Sequence, residues 1–153
     1  MDTKVASKQI IILLVEDDEA HAKLIMRALD EVNVPKRIFW VNDGEAALDF
    51  LFHHGIYRDE KESPRPDLIV LDLRLPKRDG HEVLREIKKS RELRNIPVVV
   101  ITASQKEEDE MLAYSNYVNS YLLKPSDFHE FAGMIYEAGS YWLIWNQHER
   151  YGM

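Results

Sequence analysis

Several apolar runs in this chain lead directly into residues that could do chemistry. Ile10–Val15 runs into Glu16-Asp17-Asp18, and Leu68–Leu73 carries Asp72 between two leucines. Val98–Ile101 leads into Thr102, and Tyr121-Leu122-Leu123 is followed by Lys124-Pro125. Carboxylates brought within a few ångströms of one another cannot all stay ionised and unpaired. A divalent cation relieves them, and an all-oxygen donor set selects a hard ion such as Mg²⁺. Lys124 would offset the remaining negative charge or hold an anionic ligand, and Thr102 offers a hydroxyl to the same ligand. A metal, a carboxylate nucleophile, an ammonium and a hydroxyl around one point are what phosphoryl transfer onto an aspartate requires. Taken singly, the acidic triplet, the threonine and the Lys-Pro turn are ordinary. Asp72 is harder to dismiss, because an ionisable group inside an apolar run is costly to bury. No histidine lies at these strand ends, so a hydrolase triad is not expected, and no tryptophan is expected near Asp72.

These residues meet only if the runs are neighbouring strands of one sheet. Ile10–Val15 is apolar throughout, as suits a central strand covered on both faces. After it, Ala22, Ile25, Leu29 and Val32 fall on one face of a helix over 19–32. Arg37–Val41 reads as a second strand, and Asp43-Gly44 opens a second helix through Phe50 and Leu51. Leu68–Leu73 is the third strand, followed by a helix over Gly80–Lys89 with Val83, Leu84 and Ile87 inward. Pro97 leads into the fourth strand, a short helix spans 106–115, and the fifth strand lies within Val118–Leu123. Asp127 with Glu130 three residues on forms a capping box for a long last helix. Such alternation predicts a doubly wound α/β fold, a five-stranded parallel sheet with helices on both faces. In that architecture, ligands bind at the carboxyl ends of the strands where strand order reverses. Glu16, Asp17, Asp72, Thr102 and Lys124 all fall at that edge.

Composition sets outer bounds. At 45% hydrophobic and 31% charged residues, the chain is composed like an ordinary globular domain. No apolar run approaches a membrane span, and the first nine residues carry no apolar signal core. Cysteine is absent, which excludes a disulfide framework and agrees with a cytoplasmic location. A net charge of −7 argues against nucleic acid as the main partner. The expected organisation is a flexible N-terminus over 1–9, one domain over 10–147, and a tail over 148–153.

The segments LLVEDD, LIVLDLRLP, DG, VVVITAS and YLLKP resemble, in this order, the receiver domain of two-component response regulators. The resemblance covers nearly the whole chain from Ile10 to the last helix and implies a flavodoxin-like fold. It implies that Asp72 is the phosphoacceptor, that Asp17 binds Mg²⁺ directly while Glu16 acts through water, and that the backbone carbonyl of Arg74 is a further ligand. Thr102 and Lys124 correspond to the residues that grip the phosphoryl oxygens. Tyr121 corresponds to the aromatic switch, and the Lys124–Pro125 peptide is expected to be cis. The implied function is acceptance of a phosphoryl group from a sensor histidine kinase, read out by the face of the fourth helix, fifth strand and fifth helix. A Mg²⁺-dependent phosphatase with an aspartyl nucleophile is the competing reading, but such enzymes need a second acid two residues on, where this chain has Arg74.

The chain departs from the family pattern in two places. The stretch between Asp17 and Asp72 is longer than usual, the excess falling in His53–Pro66, a charged surface loop in which His53 and His54 are expected to be exposed. The other departure is the last helix. Phe128, Phe131, Ile135, Ala138, Trp142 and Trp145 follow a 3-4 spacing that marks a core face. A helix over 126–146 would be roughly 30 Å long, against about 17–20 Å for a typical strand. Its end, with Tyr141, Trp142, Ile144 and Trp145, is therefore expected to overhang the sheet and form a homodimer interface. With few residues after it, no output domain is expected. Together these features resemble the small regulators that partner phytochrome-type histidine kinases.

Overall fold

The computed structural model describes residues 9–145, so the expected N-terminal segment 1–9, apart from Gln9, and the expected tail 148–153 lie outside the described residues. Five parallel strands form one sheet in the order β2-β1-β3-β4-β5. They are β1 (Ile10–Val15), β2 (Lys36–Val41), β3 (Leu68–Leu71), β4 (Val98–Thr102) and β5 (Ser120–Leu123). The intervening helices are α1 (Glu19–Asp30), α2 (Gly44–Phe52), α3 (Gly80–Lys89), α4 (Glu107–Ser115) and α5 (Phe128–Ser140). Strand order reverses between β1 and β3, which places the binding crevice between the strands that lead into the acidic triplet and into Asp72.

The unbroken apolarity of β1 has a direct cause: the sheet is covered on both sides. Leu13 and Val15 point with Ile69, Leu71, Val98 and Val100 into a core closed by Phe50, Val83, Leu84 and Ile87 of α2 and α3. Ile12 and Leu14 point the other way, with Val70, Val99 and Ile101, against Ile25 and Leu29 of α1 and Phe131 and Ile135 of α5. Burying a side chain of this kind is worth about 1.5–3 kcal/mol, so a one-residue slip of a central strand would cost most of the core. No helix among the described residues is long and apolar enough to cross a membrane.

The loop between α2 and β3 is more ordered than its composition suggests. His53 ends α2 in the left-handed region at φ 61. Its Nδ1 lies 3.0 Å from the hydroxyl of Ser63, which is fully buried and also 2.9 Å from the Tyr57 carbonyl. A 3₁₀ turn over Gly55–Tyr57 packs Tyr57 against Phe50. His53 is therefore a half-buried organiser of the loop rather than an exposed residue, while His54 is exposed as expected.

The last helix also differs from expectation. Beyond Ser140 the backbone changes to a π turn over Tyr141–Trp145. A π turn bonds five residues back and adds a residue to the turn, which rotates the following side chains away from a 3-4 register. As a result Leu143 reaches the core at 1% exposure, and Trp142 is half-buried against the same apolar cluster. The aromatic end folds down beside α1 instead of overhanging, leaving Tyr141 and Ile144 outward; the side chain of Trp145 lies outside the described residues. Phe128, at the start of the stripe, is 57% exposed.

Two glycines separate close packing from idle flexibility. A Cβ on Gly80 would lie 2.4 Å from the Asp72 carbonyl oxygen and 2.5 Å from the Leu73 Cα, whereas one on Gly133 would meet nothing within 4 Å. Gly80→Ala is expected to cost about 1–3 kcal/mol through overpacking against rigid backbone. Gly133→Ala, inside α5, should gain roughly 0.5–1 kcal/mol. Urea unfolding of both variants checks this: opposite shifts of the midpoint are expected, and a stabilised Gly80→Ala would contradict the packing described.

Candidate functional site

Register brings the candidate residues to one edge. Val15 pairs with Leu71, Leu71 with Val100, and Thr102 with Leu123. The next residues on three of these strands, Glu16, Asp72 and Lys124, therefore emerge side by side. Their backbones stay tied to the sheet: the N–H of Glu16 donates to Val41, that of Asp72 to Val15, and that of Lys124 to Thr102. Gly80 allows α3 to start against the Asp72–Leu73 backbone, and its N–H donates to the Leu73 carbonyl at 2.9 Å.

At the centre is a buried ammonium between two buried carboxylates. Lys124 Nζ lies 2.8 Å from Glu16 Oε1 and 2.9 Å from Asp72 Oδ2, and all three side chains are at least nine-tenths buried. Burial works against the lysine's charge, but the two carboxylates outweigh it and hold its pKa above the ordinary value. Glu16 is raised as well: desolvation, then the nearby Asp72, push it up to about 7 despite the lysine. One ammonium cannot neutralise two carboxylates. Asp17 adds a third, exposed to solvent, and the three offer oxygens within 4.8 Å of one another. This all-oxygen cluster with excess negative charge fits a hard divalent cation. Asp72 Oδ1 also accepts the backbone N–H of Arg74 at 3.2 Å, which fixes the carboxylate's rotation.

Thr102 is fully buried, and its hydroxyl accepts the N–H of Ser104 at 3.3 Å. Tyr121 is half-buried, and its hydroxyl donates to the Ser104 carbonyl at 3.3 Å. No cis peptide occurs among the described residues, so the Lys124–Pro125 bond is trans, contrary to expectation. Trans is the lower-energy isomer of an X–Pro bond, and Lys124 reaches both carboxylates with it.

Three residues of the site were not anticipated. Trp40 of β2 donates its indole N–H to the Glu16 carbonyl at 2.7 Å, so a tryptophan does border the acidic cluster. Its position on the neighbouring strand, one residue before the strand end, was the available signal. Asp109 of α4 binds the guanidinium of Arg74, the hydroxyl of Ser104 and, at 3.1 Å, Nε2 of buried His81. Burial alone would raise the Asp109 carboxyl, but these partners together hold it below the ordinary value. His21 of α1 places Nδ1 3.0 Å from Lys124 Nζ. It was passed over because it lies on a helix rather than at a strand end.

A model of the response regulator receiver domain matches residues 12–136. The chain is 51% identical over 147 residues to the probable methanogenesis regulatory protein FilR2 of Methanothrix harundinacea, covering 95% of this chain and 92% of that one. The Mn²⁺-bound form of response regulator Rcp1, a Synechocystis protein, superimposes with a TM-score of 0.84 at 42% identity, over 88% of this chain and 95% of that one. The phosphorylated cyanobacterial phytochrome response regulator RcpA superimposes with a TM-score of 0.85 at 39% identity, over 90% of this chain and 96% of that one. With the acidic cluster, the lysine and the threonine on the strands that this match spans, the chain belongs to the response-regulator receiver family of two-component signalling proteins.

Proposed function

We propose that Asp72 is the phosphoacceptor of this receiver, taking its phosphoryl group from a sensor histidine kinase with Mg²⁺ held by Asp17, Asp72 and the Arg74 carbonyl, and by Glu16 through water. The observation that carries the reading is the Lys124 ammonium set between Glu16 and Asp72. An Asp72 oxygen attacks phosphorus in line; the P–O bond forms as the P–N bond of the phosphohistidine breaks, and the imidazole leaves. Mg²⁺, when bound, supplies positive charge to the carboxylate and phosphoryl oxygens. Lys124 aims a second charge at the same oxygens from the protein side. Thr102 gives up its contact with the Ser104 N–H to donate to the phosphoryl group, and Tyr121, tied to the Ser104 carbonyl, moves with that turn. The readout is a change in the face of α4, β5 and α5. RcpA, described as phosphorylated, and Rcp1, described as Mn²⁺-bound, support both halves of this reading. They also favour a phytochrome-type kinase as partner and hence a cytoplasmic location. The phosphatase alternative is disfavoured because Arg74 occupies the position of the second acid and its guanidinium is committed to Asp109.

Exposed apolar groups occur on each of these elements: Met111, Tyr114 and Tyr117 of α4 and the turn after it, Leu123 of β5, and Tyr141 and Ile144 beyond α5. Exposed apolar groups on a signalling surface support a homodimer with twofold symmetry; Trp142 packs half-buried against the core beside Tyr141, and the side chain of Trp145 lies outside the described residues.

Acetyl phosphate with Mg²⁺ should label wild type on Asp72, found by reductive trapping and mass spectrometry. Label persisting in Asp72→Asn would refute the assignment.

Metal titrations can be followed by the fluorescence of Trp40. Ionised Glu16 favours the ion, so affinity should rise as pH climbs through about 7 and level off only well above it, where deprotonation is complete. Asp17→Asn should weaken binding by about tenfold. Unchanged affinity in that variant would remove Asp17 from the ligand set.

Sedimentation tests the dimer. Wild type at tens of micromolar should associate, and Tyr141→Ala/Ile144→Ala should weaken association by about tenfold or more. A wild type that stays monomeric with and without a phosphoryl mimic rules the dimer out.

A further inference from the structure

A lysine ammonium has three N–H donors and no lone pair. Those of Lys124 meet three different acceptors: Glu16 Oε1 at 2.8 Å, Asp72 Oδ2 at 2.9 Å and His21 Nδ1 at 3.0 Å. The third comes from the first turn of α1, from a residue outside the recognisable motifs. Because the ammonium only donates, the ring nitrogen facing it must present its lone pair. The imidazole is therefore neutral, with its proton on Nε2. A protonated ring would offer no acceptor and would set two positive charges 3.0 Å apart.

The ring is held from several sides. Asp18, the cap of α1, accepts the His21 backbone N–H at 3.1 Å, and its other oxygen stands 3.8 Å from Nδ1. From α5, Phe131 and Phe128 meet the ring edgewise at centroid distances of 5.5 and 6.4 Å. From the end of β5 comes Lys124, through which Glu16 and Asp72 are felt. A side-chain exposure of 27% leaves the ring open to solvent protons.

We propose that His21 is a positioning residue for Lys124: its neutral ring engages the third ammonium donor and fixes the rotation that aims the other two at Glu16 and at Asp72, where the phosphoryl group arrives. The proposal rests on the reading of Asp72 as phosphoacceptor. No bond forms or breaks at His21. Without it, the ammonium has one donor unpaired and can turn away from the oxygens it must meet.

Two variants separate the acceptor from the packing. His21→Phe keeps a ring against Phe128 and Phe131 but offers no acceptor, while His21→Asn restores an acceptor near the place of Nδ1. With acetyl phosphate and Mg²⁺, the Phe variant should be phosphorylated about tenfold more slowly, the effect of one charge-assisted hydrogen bond. The Asn variant should stay within about threefold of wild type. A second measurement needs no phosphoryl chemistry: the ¹⁵N resonance of Nδ1 in neutral His21 should move when Lys124→Met removes the ammonium. A Phe variant as fast as a labelled wild type, or an unmoved Nδ1 resonance, would each overturn this proposal alone. A wild type that takes no label on Asp72 would sink the phosphoacceptor reading and this proposal with it.

Discussion

The structure is organised around one electrostatic constraint: a buried ammonium shared by two buried carboxylates. Removing such ions from water costs several kcal/mol each, and their attraction repays the cost only when geometry and hydrogen bonding are nearly complete. Here the sheet supplies that geometry. Glu16, Asp72 and Lys124 leave three strands in matched register, and each keeps its backbone N–H on a neighbouring strand. The sheet can hold them because its interior is almost entirely branched aliphatic, from Ile12 to Ile101. Burial first, and the charge of Asp72 second, push Glu16 up to about 7, and one ammonium among three carboxylates leaves an edge that fits a cation rather than a finished ion pair.

From that centre, polar contacts lead outward through one helix. Arg74 follows Asp72 by two residues, and its guanidinium binds Asp109 of α4, which also holds Ser104 and His81. Ser104 in turn accepts from Tyr121 and donates its N–H to Thr102. The apolar hold on α4 is slight: Ala113 is buried, while Met111, Leu112 and Tyr114 are exposed. An element tied by polar contacts and little buried surface opens at low cost. A change of charge at Asp72 therefore bears on the element that is easiest to move, through groups that respond to charge. Elsewhere the sheet edge is rigid, since α3 begins in direct contact with the Asp72–Leu73 backbone.

The fold was legible in the sequence because its signals were strong and redundant. Apolar runs marked the strands, capping residues such as Asp127 marked helix starts, and the site residues fell at the ends of those runs. Local patterning could not show contacts that depend on packing between elements. His53 looked like a loop histidine, yet Ser63, ten residues on, folds back to bond it. Trp142 and Trp145 looked like the continuation of a 3-4 stripe. The π turn changes the period where the chain runs past the sheet, bringing Leu143 inward instead. The Lys124–Pro125 bond is trans although the family resemblance pointed to cis, since proline makes both isomers accessible and sequence does not choose between them.

The same distinction explains which parts of the site the sequence showed and which it did not. Glu16, Asp17, Asp72, Thr102 and Lys124 were recognisable because charged and polar groups at the ends of apolar strand runs stand out in the sequence and match the family's motifs. Trp40, Asp109 and His21 surround them without taking part in the chemistry, and each acts by fixing something that does. Trp40 holds the Glu16 carbonyl, Asp109 holds the side chain that follows Asp72, and His21 holds the lysine. Groups of this kind set how firmly the reacting atoms are held rather than which atoms react. Their identity is written in tertiary contacts, and the strand-end motifs carry no record of it.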